Sequence, residues 1–188
     1  MGGTSVVVPP VQAAARLKII SLGESGVGKS CLIKRYCEDK FVTKYVATIG
    51  IDFGVKPVHL DGPGPCRVNF FDFAGGIEYF EIRNEFYKDA QGAMLVFDVG
   101  SKASLEALDK WLKEAEEFGL SLGKGGAALV LVGNKSDSKK REVSDVEARK
   151  WASAHGGMPF FETTAKEGDN VSEMFQKLFM EAAKNGFK

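Results

Sequence analysis

The 188-residue sequence has little cysteine, no long apolar run and no excess of charge of either sign. Its three cysteines, Cys31, Cys37 and Cys66, are an odd number without the spacing of a disulfide framework or a metal site, which fits a reducing, cytoplasmic compartment. No segment has the length of a membrane span or the pattern of a signal peptide. Lysine plus arginine balance aspartate plus glutamate at 25 each, so bulk charge predicts no nucleic-acid partner.

The two ends of the chain lack the signals for lipid attachment. Residues 1–15 predict a flexible leader, in which Val6 stands where N-myristoylation requires serine or threonine. The chain finishes at Lys188 without a cysteine motif, so we expect no lipid anchor on this chain. Residues 16–188 are enough for one domain with a sizeable core, and we expect that domain to be a monomer.

Strand-like and helix-like segments alternate along the domain, which predicts a mostly parallel sheet with helices on both faces. The turn sequence Asp61-Gly-Pro-Gly-Pro65 joins two strand-like segments and predicts an antiparallel hairpin. We therefore predict an α/β fold with six strands, one of which is an antiparallel edge strand. The predicted strands are 17–22, 51–60, 67–72, 92–99, 127–133 and 158–162, and the predicted helices are 31–36, 79–88, 170–184 and two that open at Ser101 and Ser144.

A glycine-rich stretch, Gly23 to Ser30, lies between the first strand and the first helix with the spacing G-x-x-x-x-G-K-[ST]. Its glycines let the backbone approach an anion, and the amides of the turn and of the helix N-terminus point toward negative charge. Lys29 adds a positive charge near the outer phosphates, and Ser30 offers a hydroxyl to Mg²⁺. The sequence thus predicts a nucleotide phosphate site with contacts from Glu24, Ser25, Gly26, Val27, Gly28, Lys29, Ser30 and Cys31.

Two further loops follow strands at the same edge of the sheet and indicate the base. Asp137 can accept two parallel hydrogen bonds from the amino group and ring N–H of guanine, a pair that adenine does not present. Lys135 can lie along the base, Asn134 can tie its loop to the phosphate loop, and the Ala165 amide can donate to a base carbonyl. An ATP-using P-loop enzyme is the alternative if the N-K-x-D pattern is accidental. The expected contacts here are Asn134, Lys135, Asp137, Thr164, Ala165 and Lys166.

Residues between these motifs have the chemistry of a sensor of nucleotide state. Thr48 lies in a polar connection, 38–50, that we expect to be mobile, and it offers a hydroxyl to Mg²⁺ when a γ-phosphate is present. Asp72 ends a strand and is followed by Gly75 in the pattern D-x-x-G, which puts a carboxylate near Mg²⁺ and a glycine amide near the γ-phosphate. The predicted metal ligands are Ser30, Thr48 and Asp72.

From about Arg16 to Lys184, the chain resembles the small GTPases of the Ras superfamily, and the Rab-like branch in particular. The Rab-like features are Gly23-Glu-Ser-Gly-Val-Gly-Lys-Ser30, Thr48-Ile-Gly-Ile-Asp-Phe53 and Ala90-Gln-Gly-Ala-Met-Leu-Val-Phe-Asp98. Within that branch, the chain resembles the RJL group, named for Rab-like GTPases that often carry a C-terminal J domain. This narrower resemblance rests on Lys34-Arg-Tyr-Cys37, Ala47-Thr-Ile-Gly-Ile-Asp52 and Arg83-Asn-Glu-Phe-Tyr-Lys-Asp-Ala-Gln-Gly92.

The resemblance implies a P-loop NTPase small G domain, a switch that binds GTP or GDP with Mg²⁺ and hydrolyses GTP. It places Phe41 against the guanine face and adds Tyr45 to the nucleotide contacts. It also makes 41–53 and 73–87 the segments that meet effectors, exchange factors and GTPase-activating proteins. By resemblance alone, a flagellar, basal-body or nuclear location is implied. The residues implied for catalysis are Lys29, Thr48, Gly75 and Gly76.

The chain departs from the family where catalysis is decided. The usual D-T-A-G-Q-E is Asp72-Phe-Ala-Gly-Gly-Ile77 here, so Gly76 replaces the glutamine that orients the attacking water. Because positioning supplies most of the rate in this chemistry, we predict slow intrinsic hydrolysis. Glu78 is a nearby carboxylate, but the helix predicted to start beside it argues against its reaching the site. The alternative is a GTP-bound protein-interaction module that effectively does not hydrolyse.

Overall fold

The computed structural model describes residues 15–186, which form one six-stranded sheet in the order β2-β3-β1-β4-β5-β6. The edge strand β2 pairs antiparallel with β3, and every other pairing is parallel. The predicted α/β class, strand number and antiparallel edge are thereby confirmed. The predicted leader lies outside the described residues except for Ala15, which opens the first strand. The strands are β1 Ala15–Leu22, β2 Ile51–Leu60, β3 Gly64–Phe73, β4 Gly92–Asp98, β5 Ala128–Asn134 and β6 Phe160–Glu162.

Within residues 15–186, six α-helices and one 3₁₀ turn accompany these strands. Ser144 caps its helix as the sequence predicts, because its hydroxyl accepts the Glu147 amide while the Glu147 carboxylate accepts the Ser144 amide. The helix predicted to open at Ser101 is divided at Ala107 into two segments. The helices are α1 Lys29–Glu38, α2 Phe80–Asn84, α3 Lys102–Glu106, α4 Leu108–Glu117, α5 Asp145–Ala154 and α6 Val171–Lys184, and the 3₁₀ turn is Ile77–Tyr79.

Two predicted elements are shorter in the structure. The helix predicted over 79–88 ends at Asn84, since the chain turns so that the Tyr87 ring packs edge-on against Phe73 at 5.2 Å between centroids. The last strand begins at Phe160 rather than at residue 158, because Pro159 has no N–H to give to the ladder.

Alternation along β1 divides the core between the two faces of the sheet. Leu17 and Ile19 lie in the cluster that packs under α1 and α6, whereas Ile20 and Leu22 lie in the cluster under α4 and α5. Both faces are apolar, as a sheet covered on both sides requires. The parallel strands β1, β3, β4 and β5 end at one edge, and the loops after them carry the predicted functional motifs.

Candidate nucleotide-binding site

The phosphate loop, residues 23–28, turns sharply between β1 and α1. Gly23 has φ 136° and Gly28 has φ 100°, a region that side chains rarely adopt. A Cβ on Gly23 would also collide with the Val96 carbonyl oxygen, and one on Gly28 would collide with the Asn134 side-chain nitrogen. The two fixed glycines of the motif are therefore required by geometry as well as by the expected approach of an anion.

Lys29 opens α1 and is buried beneath this loop, with 5% of its surface exposed. Its Nζ donates to the Gly23 carbonyl at 2.6 Å and to the Glu24 carbonyl at 2.9 Å, so the loop holds its own cation. Burial lowers the pKa of Lys29 to about 8, although the nearby Asp72 carboxylate opposes that shift. An anion bound at the loop would favour the charged form of this side chain.

The three predicted metal ligands lie together beside Lys29. The Ser30 and Thr48 hydroxyls are 2.8 Å apart, and Asp72 is buried with 4% exposed. Burial raises the pKa of Asp72, whereas hydrogen bonds from Ser30 and Ser21 stabilise its ionised form. Hydroxyl and carboxylate oxygens are the hard donors that Mg²⁺ prefers, so this set of residues fits the ion that the sequence predicts.

Two segments meet on the phosphate loop at Ser25. From the 41–53 segment, the Tyr45 hydroxyl lies 3.0 Å from the Ser25 hydroxyl. From the 73–87 segment, Gly75 lies so close that a Cβ on it would collide with the Ser25 amide nitrogen. A glycine is thus needed at position 75 for this segment to approach the loop.

At the other end of the site, Asn134 joins three loops. Its Nδ2 donates to the Val27 carbonyl at 2.9 Å, which confirms the predicted tie to the phosphate loop. Its Oδ1 accepts the Thr163 hydroxyl at 3.3 Å and the Ala165 amide at 3.2 Å. The Ala165 amide therefore has a partner within the protein, and its donation to a base carbonyl stays a prediction.

The remaining predicted base contacts lie around this junction. Lys135 forms an ion pair with Asp98 at 2.6 Å, and Asp137 faces the groove with its side chain 31% exposed. The Lys166 ammonium lies 4.0 Å from the Asp137 carboxylate. Phe41 is half-buried against the core. In the loop after β5, the Asp137 carboxylate is therefore accessible to a ligand, whereas Lys135 is held by Asp98 at the end of β4.

These residues line one groove of about 1010 Å³. It runs from Ser25 and Gly75 at the phosphate end to Asp137 and Ala165 at the base end. Most of the predicted site residues line it, but Glu24, Val27, Gly76 and Thr164 do not.

The structure shows what occupies the space beside Gly76. This residue has φ −74° and ψ 145°, a conformation open to any amino acid. A Cβ there would collide with the Glu78 carboxylate, so Glu78 fills the volume where a side chain at position 76 would begin.

Sequence reasoning missed two groups that support the site. Arg35 of α1 donates from Nε to the Ala165 carbonyl at 2.8 Å and holds the base-end loop. Below the 73–87 segment, a buried cluster joins Arg83 and Tyr87 to Trp111 and Glu114 of α4. The partners are 27 to 130 residues apart in sequence, and no local pattern links them. The sequence does show an arginine, Arg83, in the segment that forms α2, but it does not show that this side chain is buried.

The fold and this groove together define the class of protein: a P-loop nucleotide-binding protein of the small G-domain type. A Ras family model matches residues 18–184, and the chain therefore belongs to the Ras family. That membership supports guanine-nucleotide binding and GTPase activity in general.

Similar proteins carry the name "DnaJ homolog subfamily C member 27". The Rattus norvegicus protein is 50% identical over 167 residues, which cover 88% of this chain and 60% of the relative. The Danio rerio protein is 49% identical over 166 residues, with 87% and 60% covered, and the Homo sapiens protein is 49% identical over 167 residues, with 88% and 60% covered. The DnaJ name confirms the resemblance to the Rab-like group that often carries a J domain. The chain spans about 60% of the length of these relatives. None of the helices in residues 15–186 has the length and apolar composition of a membrane span.

Proposed function

We propose that the chain is a guanine-nucleotide switch that binds GTP and GDP with Mg²⁺ and hydrolyses GTP slowly. The observation that carries this proposal is the meeting of two segments with the phosphate loop and the start of α1. Thr48 reaches Ser30 at 2.8 Å, and Gly75 lies against the backbone of Ser25. A third phosphate at this point would contact the phosphate loop and both outer segments, 41–53 and 73–87. A diphosphate would not reach the outer segments and would leave them without a shared partner.

Guanine is favoured over adenine by the chemistry of the base end. The Asp137 carboxylate faces the groove, where it can accept two adjacent N–H groups of guanine. Adenine has an acceptor nitrogen in place of the ring N–H, so it would place a lone pair against this carboxylate. This repulsion argues against the alternative of an ATP-using enzyme.

The residues at the phosphate end have separate roles in hydrolysis. Ser30, Thr48 and Asp72 would hold Mg²⁺, which when bound neutralises charge on the phosphate oxygens. Lys29 and the backbone amides of the loop stabilise the charge that develops as water attacks the γ-phosphate in line. Gly76 contributes no side chain to orient that water. The adjacent Glu78 carboxylate carries a negative charge, which the phosphate repels, and we infer that it replaces a neutral glutamine poorly.

An interaction module with negligible turnover is the second candidate, and it would use the exposed apolar surface of the two outer segments. Of the nine exposed large hydrophobic side chains in the described residues, seven lie within 41–53 and 73–87. Clustered apolar surface of this kind marks a binding site for another protein. We therefore propose that effectors, exchange factors and GTPase-activating proteins bind these two segments, in either candidate function. The seven are Val42, Tyr45, Val46, Ile49, Phe53, Ile77 and Ile82.

The identity of the nucleotide that the purified protein retains tests two parts of the proposal: the preference for guanine and the slow hydrolysis of GTP. We expect guanine nucleotide on chromatography of the released ligand, with bound GTP persisting because turnover is slow. Competition by excess GDP but not by ADP should displace a fluorescent guanine nucleotide. Retained ATP or ADP, or displacement by ADP, would contradict the proposed function.

Replacing Gly76 with glutamine tests the explanation for slow hydrolysis. Gly76→Gln should raise the single-turnover GTP hydrolysis rate by about tenfold, because an amide can then orient the water. Gly76→Ala is the matched control, since it displaces the same Glu78 carboxylate without adding an amide. A Gln variant no faster than the Ala variant would remove the glutamine explanation. Hydrolysis too slow to measure in every variant would favour the interaction module.

A further inference from the structure

Gly75 lies against the phosphate loop, and a second glycine, Gly76, follows it directly in the 73–87 segment. Glycine loses more conformational freedom on ordering than any other residue, so this stretch does not hold its own shape. A fixed approach of Gly75 to Ser25 therefore needs support from elsewhere in the fold.

Arg83 supplies that support from beneath. Its NH1 donates to the Gly76 carbonyl at 2.7 Å, and its NH2 donates to Glu114 of α4 at 2.8 Å. Its Nε bonds the other oxygen of the same carboxylate, which makes a two-pronged pair. The side chain is 3% exposed, so all three nitrogens find their acceptors inside the protein.

The surroundings of Arg83 fix it in place and connect it to the phosphate loop. Its guanidinium stacks on the Trp111 ring at 4.4 Å, and the Trp111 indole N–H donates to Glu24 of the phosphate loop at 3.0 Å. The Tyr87 hydroxyl donates to Glu114 at 2.7 Å. Helix α4 therefore holds the phosphate loop through Trp111 and the paired glycines through Arg83, so one rigid element sets the distance between them.

We propose that Arg83 is a positioning residue for the third phosphate: by holding the Gly76 carbonyl, it keeps Gly75 against the phosphate loop, where the Gly75 amide can meet that phosphate. This inference rests on the proposed function, in which that amide meets the γ-phosphate. Arg83 does not touch the nucleotide. Its loss should therefore weaken the binding of a triphosphate and spare that of a diphosphate, which does not reach Gly75.

The test compares the affinities of GDP and a non-hydrolysable GTP analogue in Arg83→Lys. Lysine keeps the charge but cannot make the fork or reach the Gly76 carbonyl at the same time. We expect the affinity for the GTP analogue to fall about tenfold, as for one charge-assisted hydrogen bond, and the GDP affinity to stay within about twofold. In the complex with the analogue, hydrogen exchange at residues 75–80 should be faster in Arg83→Lys than in the wild-type protein.

Arg141→Lys is the control, because Arg141 also makes a two-pronged pair with a carboxylate, through NH1 and NH2 to Glu162, and lies outside the cluster beneath Gly76. A second variant, Arg83→Met with Glu114→Met, leaves no buried charge unpaired and should show the same selective loss if Arg83→Lys does not fold. Equal losses for GDP and the analogue would reduce Arg83 to a structural residue and overturn the inference, as would unchanged affinities. A wild-type protein that binds no guanine nucleotide would instead overturn the proposed function.

Discussion

The two ends of the groove are built in different ways. At the base end, buried side chains connect the loops: Asn134 is 2% exposed and bonds to the phosphate loop and to the loop after β6, and Arg35 also holds the loop after β6. At the phosphate end, the exposed residues 42–47 approach the phosphate loop through the Tyr45 hydroxyl. Tyr45 is 65% exposed there, and Ile49 is 79% exposed.

This difference separates recognition from response. A base end with satisfied internal hydrogen bonds keeps its shape whichever nucleotide is present, so it decides which base binds. In the outer segments, residues 42–47 and 77–78 are exposed, and stretches with so little buried surface open at low free-energy cost. We infer that the third phosphate acts on these segments, while the base end and Lys29 supply affinity common to both nucleotides.

Lys29→Ala should produce the largest effect, because it removes a buried cation that both states use. We expect nucleotide affinity to fall by at least about a hundredfold for GDP and GTP analogue alike. Titration calorimetry with each nucleotide measures this, and circular dichroism checks the fold. Lys139→Ala is the control, since Lys139 is an exposed lysine of the 139–141 basic run. If only the affinity for the GTP analogue fell, Lys29 would act on the third phosphate alone. The proposed division between common affinity and response to the third phosphate would then be wrong.

Asn134→Ala should break the base end itself. It leaves the Val27 carbonyl, the Thr163 hydroxyl and the Ala165 amide without their partner. Unsatisfied buried groups are costly, so we expect a loss of about 2 kcal/mol in the free energy of unfolding.

Urea unfolding of the nucleotide-free protein gives this value. Asn84→Ala is a suitable control, because the Asn84 side-chain oxygen is buried and accepts no hydrogen bond within the described residues. Its removal should cost less than the removal of Asn134. If the two variants lost equal stability, the base end would not be the preformed part of the groove.

Most of the fold and the chemical identity of the site could be predicted from the sequence. Strand periodicity and the hairpin turn gave the sheet, and each motif followed a strand that ends at the same edge. The tie from Asn134 to the phosphate loop was predicted as well and is present at 2.9 Å. These features depend on residues close in sequence or on loops that the topology of a parallel sheet must bring together.

The supports of the site could not be predicted in the same way. Arg35 and Ala165 are 130 residues apart, and Arg83 and Glu114 are 31 apart, so their pairing depends on how helices pack. The end of α2 at Asn84 was also missed, because it follows from the burial of Tyr87 against Phe73 rather than from helix propensity. Tertiary packing decides such details, and a single sequence does not encode it in a local pattern.

Tyr45→Phe should have the smallest effect and tests the other side of the comparison. The Tyr45 hydroxyl meets the Ser25 hydroxyl at 3.0 Å in a solvent-exposed position, where water replaces a lost partner at little cost. We expect nucleotide affinity to change by less than about twofold and the free energy of unfolding to stay the same. Hydrogen exchange at residues 41–50 should nevertheless rise in the GTP-analogue complex, since one of the contacts that holds this segment on the loop is gone. Phe41→Leu, at a half-buried aromatic of the same segment, provides the contrast, because it should lower affinity for both nucleotides. A tenfold loss of affinity in Tyr45→Phe would show that the phosphate end is as firmly built as the base end.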